Sequence, residues 1–309
     1  MKYDYLIVGA GLFGATCARL LSDAGKKVLV VEKHDYVGGH CADKLENGIN
    51  IHQFGPHCFH TNKDAIWSWA NNFCPFNDYR LKVRVSHKDT LYSFPINLLT
   101  LHQVYGVKTP EEAKLALAAD IVFTDVPRNF EEAALATVGR KLYEIFYHGY
   151  TAKQWGRDPA TLPAELFGRL PVRLTHDDCY FTKHRSKYQG VPLWGYTSWI
   201  RSILDAPKIE VKLKIDAFKD WINLKKLAKH TIVTGPIDAF YDYRFGALPY
   251  RSLRFEHQKL PIEDYQGTAV VNYTDLSVPW TRITEHRHFL PDATALPWTW
   301  ISKEFPMEY

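Results

Sequence analysis

Residues 1–40 constrain the fold more than any other stretch. Met1 to Val8 read as a short apolar strand, and Gly9-Ala10-Gly11-Leu12-Phe13-Gly14 follow at once. Ala15 to Ala24 carry a helical pattern, with Ala18, Leu20 and Leu21 apolar and Arg19 and Asp23 outward. Lys27 to Val31 return as a second apolar strand that ends in Glu32. Strand, glycine turn, helix, strand and acid in this order give G-x-G-x-x-G the context it lacks alone. The first glycine makes the tight turn, the second admits a pyrophosphate and the third lets helix and strand pack closely. Backbone N–H groups at the helix start then face the phosphates. Glu32 stands where a carboxylate accepts from both ribose hydroxyls, so a free 2′-OH is expected. The competing interpretation is a structural glycine turn with no nucleotide.

Gly38 and Gly39 follow Glu32 closely, in Glu32-Lys33-His34-Asp35-Tyr36-Val37-Gly38-Gly39-His40. An acid followed by Gly-Gly resembles the flavoprotein version of this fold, which favours FAD over NAD. The cofactor-binding candidates are Gly9, Gly11, Leu12, Phe13, Gly14, Glu32, Lys33, Gly39 and His40, with His57, Thr234 and Gly235 from later segments.

A chain of 309 residues can bury a sizeable core in two or three structural units. Its 46% hydrophobic and 23% charged content is ordinary for a soluble globular protein. A net charge of +4 is too mild to indicate nucleic acid, but suits an anionic small molecule. Five cysteines without a C-x-x-C pair, and no secretory segment before Gly9, read as reduced thiols of a cytoplasmic protein. No apolar run has the length of a membrane span. His57-Cys58-Phe59-His60 and His286-Arg287-His288 lack partner ligands at a recognisable spacing, so no metal is expected.

Further along, Gly48 to Ile51 read as a strand broken at Gly55-Pro56. The loop through Thr61 either faces a cofactor or caps a helix from Asp64 to Phe73, with Thr61 or Asn62 as the cap. Arg80 to Phe94 alternate like a hairpin, and Asn97 can cap a short helix through Tyr105. Pro110-Glu111-Glu112 opens another helix, with acids in its first turn. A third runs from Glu131 to about Tyr147. Gly149 to Arg157 leave the helical pattern. Proline and glycine are frequent from there to Gly195, with Arg169, Arg173 and Arg185 among them. Rings and guanidinium groups on irregular backbone suit a nucleotide diphosphate. An exposed Arg-rich loop with aromatic anchors is the plainer alternative. Tyr196 to Leu204 look helical. Ile209 to Leu213 and His230 to Pro236 look like strands, the latter ending in Thr-Gly-Pro as beneath a cofactor. Arg251 to Glu256, Gly267 to Tyr273, Trp280 to His286 and Trp298 to Ser302 suggest an antiparallel sheet.

The glycine motifs are accompanied by Gly55-Pro56-His57-Cys58-Phe59-His60-Thr61, Gly149-Tyr150-Thr151-Ala152-Lys153-Gln154-Trp155-Gly156 and Leu170-Pro171-Val172-Arg173. Later come Thr234-Gly235-Pro236-Ile237-Asp238, residues 240–248 and Thr281-Arg282-Ile283-Thr284-Glu285-His286. Together they resemble the UDP-galactopyranose mutase family from residue 1 to about 306. The resemblance implies an α/β fold: a Rossmann-like FAD-binding domain, a helical insertion and an antiparallel β-sheet substrate domain. The expected divisions are 1–78 plus 205–240, then 95–204 with a mobile substrate loop, and 79–94 plus 241–309. It further implies an FAD-dependent isomerase, active with reduced flavin, that interconverts UDP-galactopyranose and UDP-galactofuranose through a flavin N5–sugar adduct. Arg169 and Arg282 would clasp the diphosphate, and His57 would sit by the flavin unless it is a loop histidine bonded to backbone. Phe146, Tyr150, Thr151 and Trp155 resemble the uridine side; Tyr180, Phe181 and Asn272 resemble further UDP-galactose contacts. A homodimer is left open by the sequence.

His40 replaces the asparagine usual in the family. Members of the family also continue past a segment like Lys303-Glu304-Phe305-Pro306 into a glycine–arginine return that touches the flavin, whereas this sequence stops at Tyr309. Three expectations follow: an active mutase, a non-catalytic remnant that binds UDP-sugar or a partner chain, and another FAD-dependent oxidoreductase.

Overall fold

Local signals set most elements of the chain. The computed structural model describes residues 2–168, 171–182, 186–290 and 296–309. It begins with β1 (Tyr3–Val8), α1 (Leu12–Asp23) and β2 (Val28–Val31). A hairpin of β3 (Asp43–Glu46) and β4 (Ile49–His52) turns at Asn47-Gly48, both at positive φ. β5 (Phe59–Thr61) and α2 (Asp64–Asn71) follow. The expected cap of α2 is absent: Lys63 holds the cap position, and Thr61 Oγ1 accepts from the Lys63 N–H instead.

The predicted hairpin is β6 (Val83–His87) with β7 (Thr90–Phe94). Reciprocal capping bonds between Asn97 and Thr100 start α3 (Leu98–Tyr105), and those between Thr109 and Glu112 start α4 (Pro110–Asp120). Asn129 caps α5 (Phe130–Leu142), which is kinked at Gly139 (φ 81°) rather than running on unbroken. A π-helical stretch, 143–148, leads into α6 (Gly149–Trp155), which Gly156 ends at φ 63°. Residues 149–155 are therefore helical where the local pattern predicted a loop. Remote packing constrains the residue at its start: a Cβ at position 149 would lie 2.1 Å from the Thr274 carbonyl oxygen, so only glycine lets the helix seat there. The remaining elements are β8 (Tyr188–Gly190), α7 (Tyr196–Leu204), β9 (Ile209–Lys212), α8 (Trp221–Leu224), β10 (Ala228–Val233) and α9 (Ile237–Phe240). Four strands complete the chain: β11 (Arg251–Leu260), β12 (Val270–Tyr273), β13 (Arg282–Glu285) and β14 (Thr299–Glu308).

These elements form two compact units, residues 1–78 with 188–249 and residues 79–187 with 250–309. The helical insertion thus shares a unit with the sheet instead of standing apart, and residues 188–204 join the first unit. Three contacts hold them there. β8 pairs antiparallel with β5, the Trp199 indole donates to the Ala70 carbonyl at 3.0 Å, and the Asp43 carboxylate accepts from the first N–H groups of α7.

In the first unit a parallel sheet has the order β10-β1-β2-β9. Its two inner strands are apolar from Leu6 to Val8 and from Val28 to Val31, where both faces are covered. Leu6, Val8, Leu29 and Val31 pack with Ala217 and Leu224 on one face. Alternate residues Ile7, Val28 and Val30 are equally buried, as are Ala15 and Ala18 of α1. In the second unit a six-stranded sheet has the order β11-β14-β13-β12-β6-β7. It is antiparallel as expected, except that β12 and β6 run parallel. The helical stretch after β7 supplies the long crossover that a parallel pair needs.

Leu29 is fully buried on an inner strand of the parallel sheet. We expect Leu29→Ala to cost about 2–5 kcal/mol. A urea titration checks this by a lower midpoint at unchanged slope.

Candidate functional site

The first unit gathers the residues predicted to meet a dinucleotide. The turn after β1 carries the chain into α1, where a Cβ on Gly14 would lie 2.0 Å from the Gly9 carbonyl oxygen. That close approach brings α1 down onto the strand end, and its N-terminus has no side-chain cap. The second glycine loop meets the first along the backbone: Gly38 N–H donates to the Ala10 carbonyl at 2.9 Å, and Gly11 and Gly38 form a bridge. Thr234, at the end of β10, donates through both its amide and its hydroxyl to the Val8 carbonyl, at 3.0 and 2.8 Å. Gly235 packs beside Phe218.

Glu32 is buried just beyond β2. Its carboxylate accepts from the Ala10 N–H at 2.9 Å and the His34 N–H at 3.0 Å, which ties the acid to the glycine turn. A carboxylate has about four acceptor positions, so capacity for ribose hydroxyls remains. Phe13, Lys33 and His40 are exposed. An uncapped helix of this length, backbone-lined glycine loops and a fixed acid fit a nucleotide pyrophosphate and its ribose.

His57 lies in the same unit, after β4. Its backbone N–H donates to His52 Nδ1 at 3.0 Å, and its ring lies 6.0 Å from that of Tyr196. Burial, with His57 as a second cause, pulls His52 down to about 3. His52 is therefore a neutral imidazole whose Nδ1 acts as acceptor.

The second unit brings two of the predicted substrate residues, Tyr150 and Asn272, to Arg282. Cross-strand register places Asn272 on β12 and Glu304 on β14 directly opposite it. Arg282 Nε donates to Asn272 Oδ1 at 2.9 Å, Nη1 to Glu304 Oε2 at 3.4 Å and Nη2 to the Tyr150 hydroxyl at 3.3 Å. Burial alone would lower the arginine's pKa, but Glu304 and then Tyr150 outweigh it and hold the guanidinium more firmly charged than usual. Burial raises the Tyr150 hydroxyl, while Arg282 pulls the other way. The Arg282 side chain keeps 26% exposure, against 4% for Glu304.

A chain of rings continues from there. Tyr180 contacts Phe181 at 5.2 Å and Phe94 at 6.4 Å, and Phe94 stacks on Phe146 at 6.0 Å. Phe146 and Thr151 are buried, whereas Trp155 at the end of α6 is half-buried. Arg169 and Arg185 lie outside the described residues. Arg173, expected among the phosphate-binding arginines, is consumed structurally: it is buried and donates to the carbonyls of Asp177, Cys179 and Tyr180. Sequence reading missed Glu304 as a site residue, because only strand register reveals that it faces Arg282.

His288, in one of the two histidine clusters, pairs with Asp264 and Glu285 at 3.3 Å each. Burial would lower its pKa, but Glu285 and Asp264 raise it overall. The cluster is a partly exposed ion-pair network whose buried Glu285 oxygens also accept from the Tyr265 and Gln266 N–H groups.

Residues 7–73 match the family profile of the NAD(P)-binding Rossmann-like domain. The first unit is accordingly a Rossmann-like dinucleotide-binding domain. Residues 145–309 match the profile described as UDP-galactopyranose mutase. The dTDP-fucopyranose mutase of Escherichia coli is 41% identical over 93% of this chain and 77% of its own length. A Klebsiella pneumoniae protein named "Probable UDP-galactopyranose mutase" is 39% identical over 93% of this chain and 74% of its own. The chain belongs to the UDP-galactopyranose mutase family. A crystal structure of reduced UDP-galactopyranose mutase shares its fold, with a TM-score of 0.69 over 99% of this chain and 74% of that one at 17% identity. Among the described residues, no helix is long and apolar enough to cross a membrane.

His52 yields a pH prediction. Its folded pKa lies below the unfolded value of 6.5, so between pH 6.5 and about 3 the unfolded chain binds a proton that the folded chain refuses. Its contribution is intact above pH 6.5 and is lost as pH falls, by up to about 1.4 kcal/mol per pH unit. Urea midpoints measured from pH 7.5 to 5 should therefore decline less steeply in His52→Phe than in wild type.

Proposed function

We propose that the chain is an FAD-dependent mutase that interconverts UDP-galactopyranose and UDP-galactofuranose. The observation that carries this reading is the Arg282 guanidinium, held by Asn272, Glu304 and Tyr150 yet partly exposed. A guanidinium has five N–H donors and three are engaged here, so two remain for phosphate oxygens.

In this reading FAD is held by the Gly9–Gly14 turn, the start of α1, Gly39 and Glu32, with Thr234 and Gly235 at the strand end. His40, Lys33, Leu12 and Phe13 flank that site, and His57 addresses the ring system. Reduced flavin, when bound, supplies a nucleophilic nitrogen for the anomeric carbon of the sugar. The protein's residues do the rest by position and charge. Arg282 and Arg169 bind the diphosphate and stabilise the charge it gains as the bond to the anomeric carbon breaks. Phe146, Tyr150, Thr151 and Trp155 form the uridine side, and Tyr180, Phe181 and Asn272 orient the sugar while its ring recloses through the 4-OH. Because the E. coli relative is named for dTDP-fucopyranose, that substrate is the second reading and is assayed alongside.

Titration of FAD into apo-protein should give flavin absorbance and a Kd below about 1 mM; weaker binding would remove the enzyme reading. Furanose should form only after dithionite reduction, whereas hydrogen peroxide release would indicate an oxidase. Arg282→Ala should retain flavin but lose about 2–4 kcal/mol of transition-state stabilisation, on the order of 100-fold in kcat/KM. Near-normal turnover would exclude Arg282 from the site.

A further inference from the structure

Lys153 lies one helical turn after Tyr150 on α6, and main-chain carbonyls of the β12–β13 connection enclose its ammonium. Nζ donates to the carbonyl oxygens of Tyr273 at 2.8 Å, Asp275 at 2.8 Å, Val278 at 3.1 Å and Trp280 at 2.9 Å. An ammonium has three N–H donors, so one of them is shared between two carbonyls. The start of the helix rests on the same connection, where Gly149 meets the Thr274 carbonyl. Tyr273 directly follows Asn272, and Trp280 stands two residues before Arg282. Helix and connection are thus joined at one charged knot. Burial brings Lys153 down to about 8, with Asp275 acting in the opposite direction, so the amine is charged at neutral pH.

We propose that Lys153 is a positioning residue for nucleoside-diphosphate recognition: by gathering four carbonyls it sets the Tyr150 hydroxyl against the Arg282 guanidinium. The proposal rests on the nucleotide-sugar reading of the Arg282 site. Without the ammonium, carbonyl dipoles that now converge on a cation repel one another and the connection opens. The 3.3 Å contact between Arg282 and Tyr150 depends on both ends of that connection. Displacement of a binding group by about 1 Å is enough for a large functional loss.

A double-mutant cycle read by calorimetric titration of UDP into the flavin-loaded enzyme tests this. The proteins are wild type, Lys153→Met, Arg282→Ala and the double variant, with bound flavin measured in each. Lys153→Met should keep its flavin and bind UDP about tenfold more weakly, yet cause less than about a twofold further loss in the Arg282→Ala background. Propylammonium should restore UDP affinity to Lys153→Ala, a recovery that general destabilisation would not show. Unchanged UDP affinity in Lys153→Met, or losses that add in full, would overturn the proposal while the mutase reading stands. Wild type that fails to bind UDP would overturn both. Should the variants not fold, the 15N signal of the Lys153 ammonium in wild type decides: it should shift on saturation with UDP, and an unmoved signal refutes the coupling.

Discussion

The carbonyl of Gly9 and the α-carbon of Gly14 approach so closely that no side chain fits between them. That contact fixes how steeply the chain leaves β1 and enters α1, and hence where the first N–H groups of the helix point. Because those groups have no side-chain cap, the first unit keeps a locally positive surface at the strand end. The buried Glu32 carboxylate tightens the same turn by accepting from Ala10, so glycine geometry and acid position are a single constraint.

The second unit solves a different problem, that of keeping a cation poised in a half-buried setting. Arg282 sits on an inner strand with an amide on one neighbouring strand and a carboxylate on the other. The desolvation of the guanidinium is offset by Glu304, and Asn272 fixes the plane of the fork. Removal of either partner would leave a charge or a donor stranded in low dielectric, which is costlier than never having buried it. Glu304 is itself less exposed than Arg282, so the pair presents its positive end outward.

What was readable in the sequence was mostly local. The first βαβ unit, the 80–94 hairpin, the cap at Asn97 and the helix start at Pro110 follow from side chains within a few residues of one another. The family motifs brought out Arg282, Tyr150 and Asn272, which do meet in the structure. Unreadable features were those decided by remote chain. Helix 149–155 seats against the Thr274 carbonyl through Gly149, Glu304 matters because strand register sets it opposite Arg282, and Lys153 matters because a distant connection turns its carbonyls inward. Arg173 shows the reverse: its composition suggested phosphate binding, but nearby carbonyls claim it.

Each unit is sewn together from two separated stretches of chain. β1 has β2 on one side, but its other neighbour is β10, and the 83–94 hairpin meets β12 only after the helices and the whole of β8–β11 have been made. On a ribosome emitting the chain from its N-terminus, both sheets therefore spend most of synthesis with an open flank, exposing β1 and β6 to wrong partners. High contact order of this kind slows assembly, because neither sheet can close before its late strands emerge.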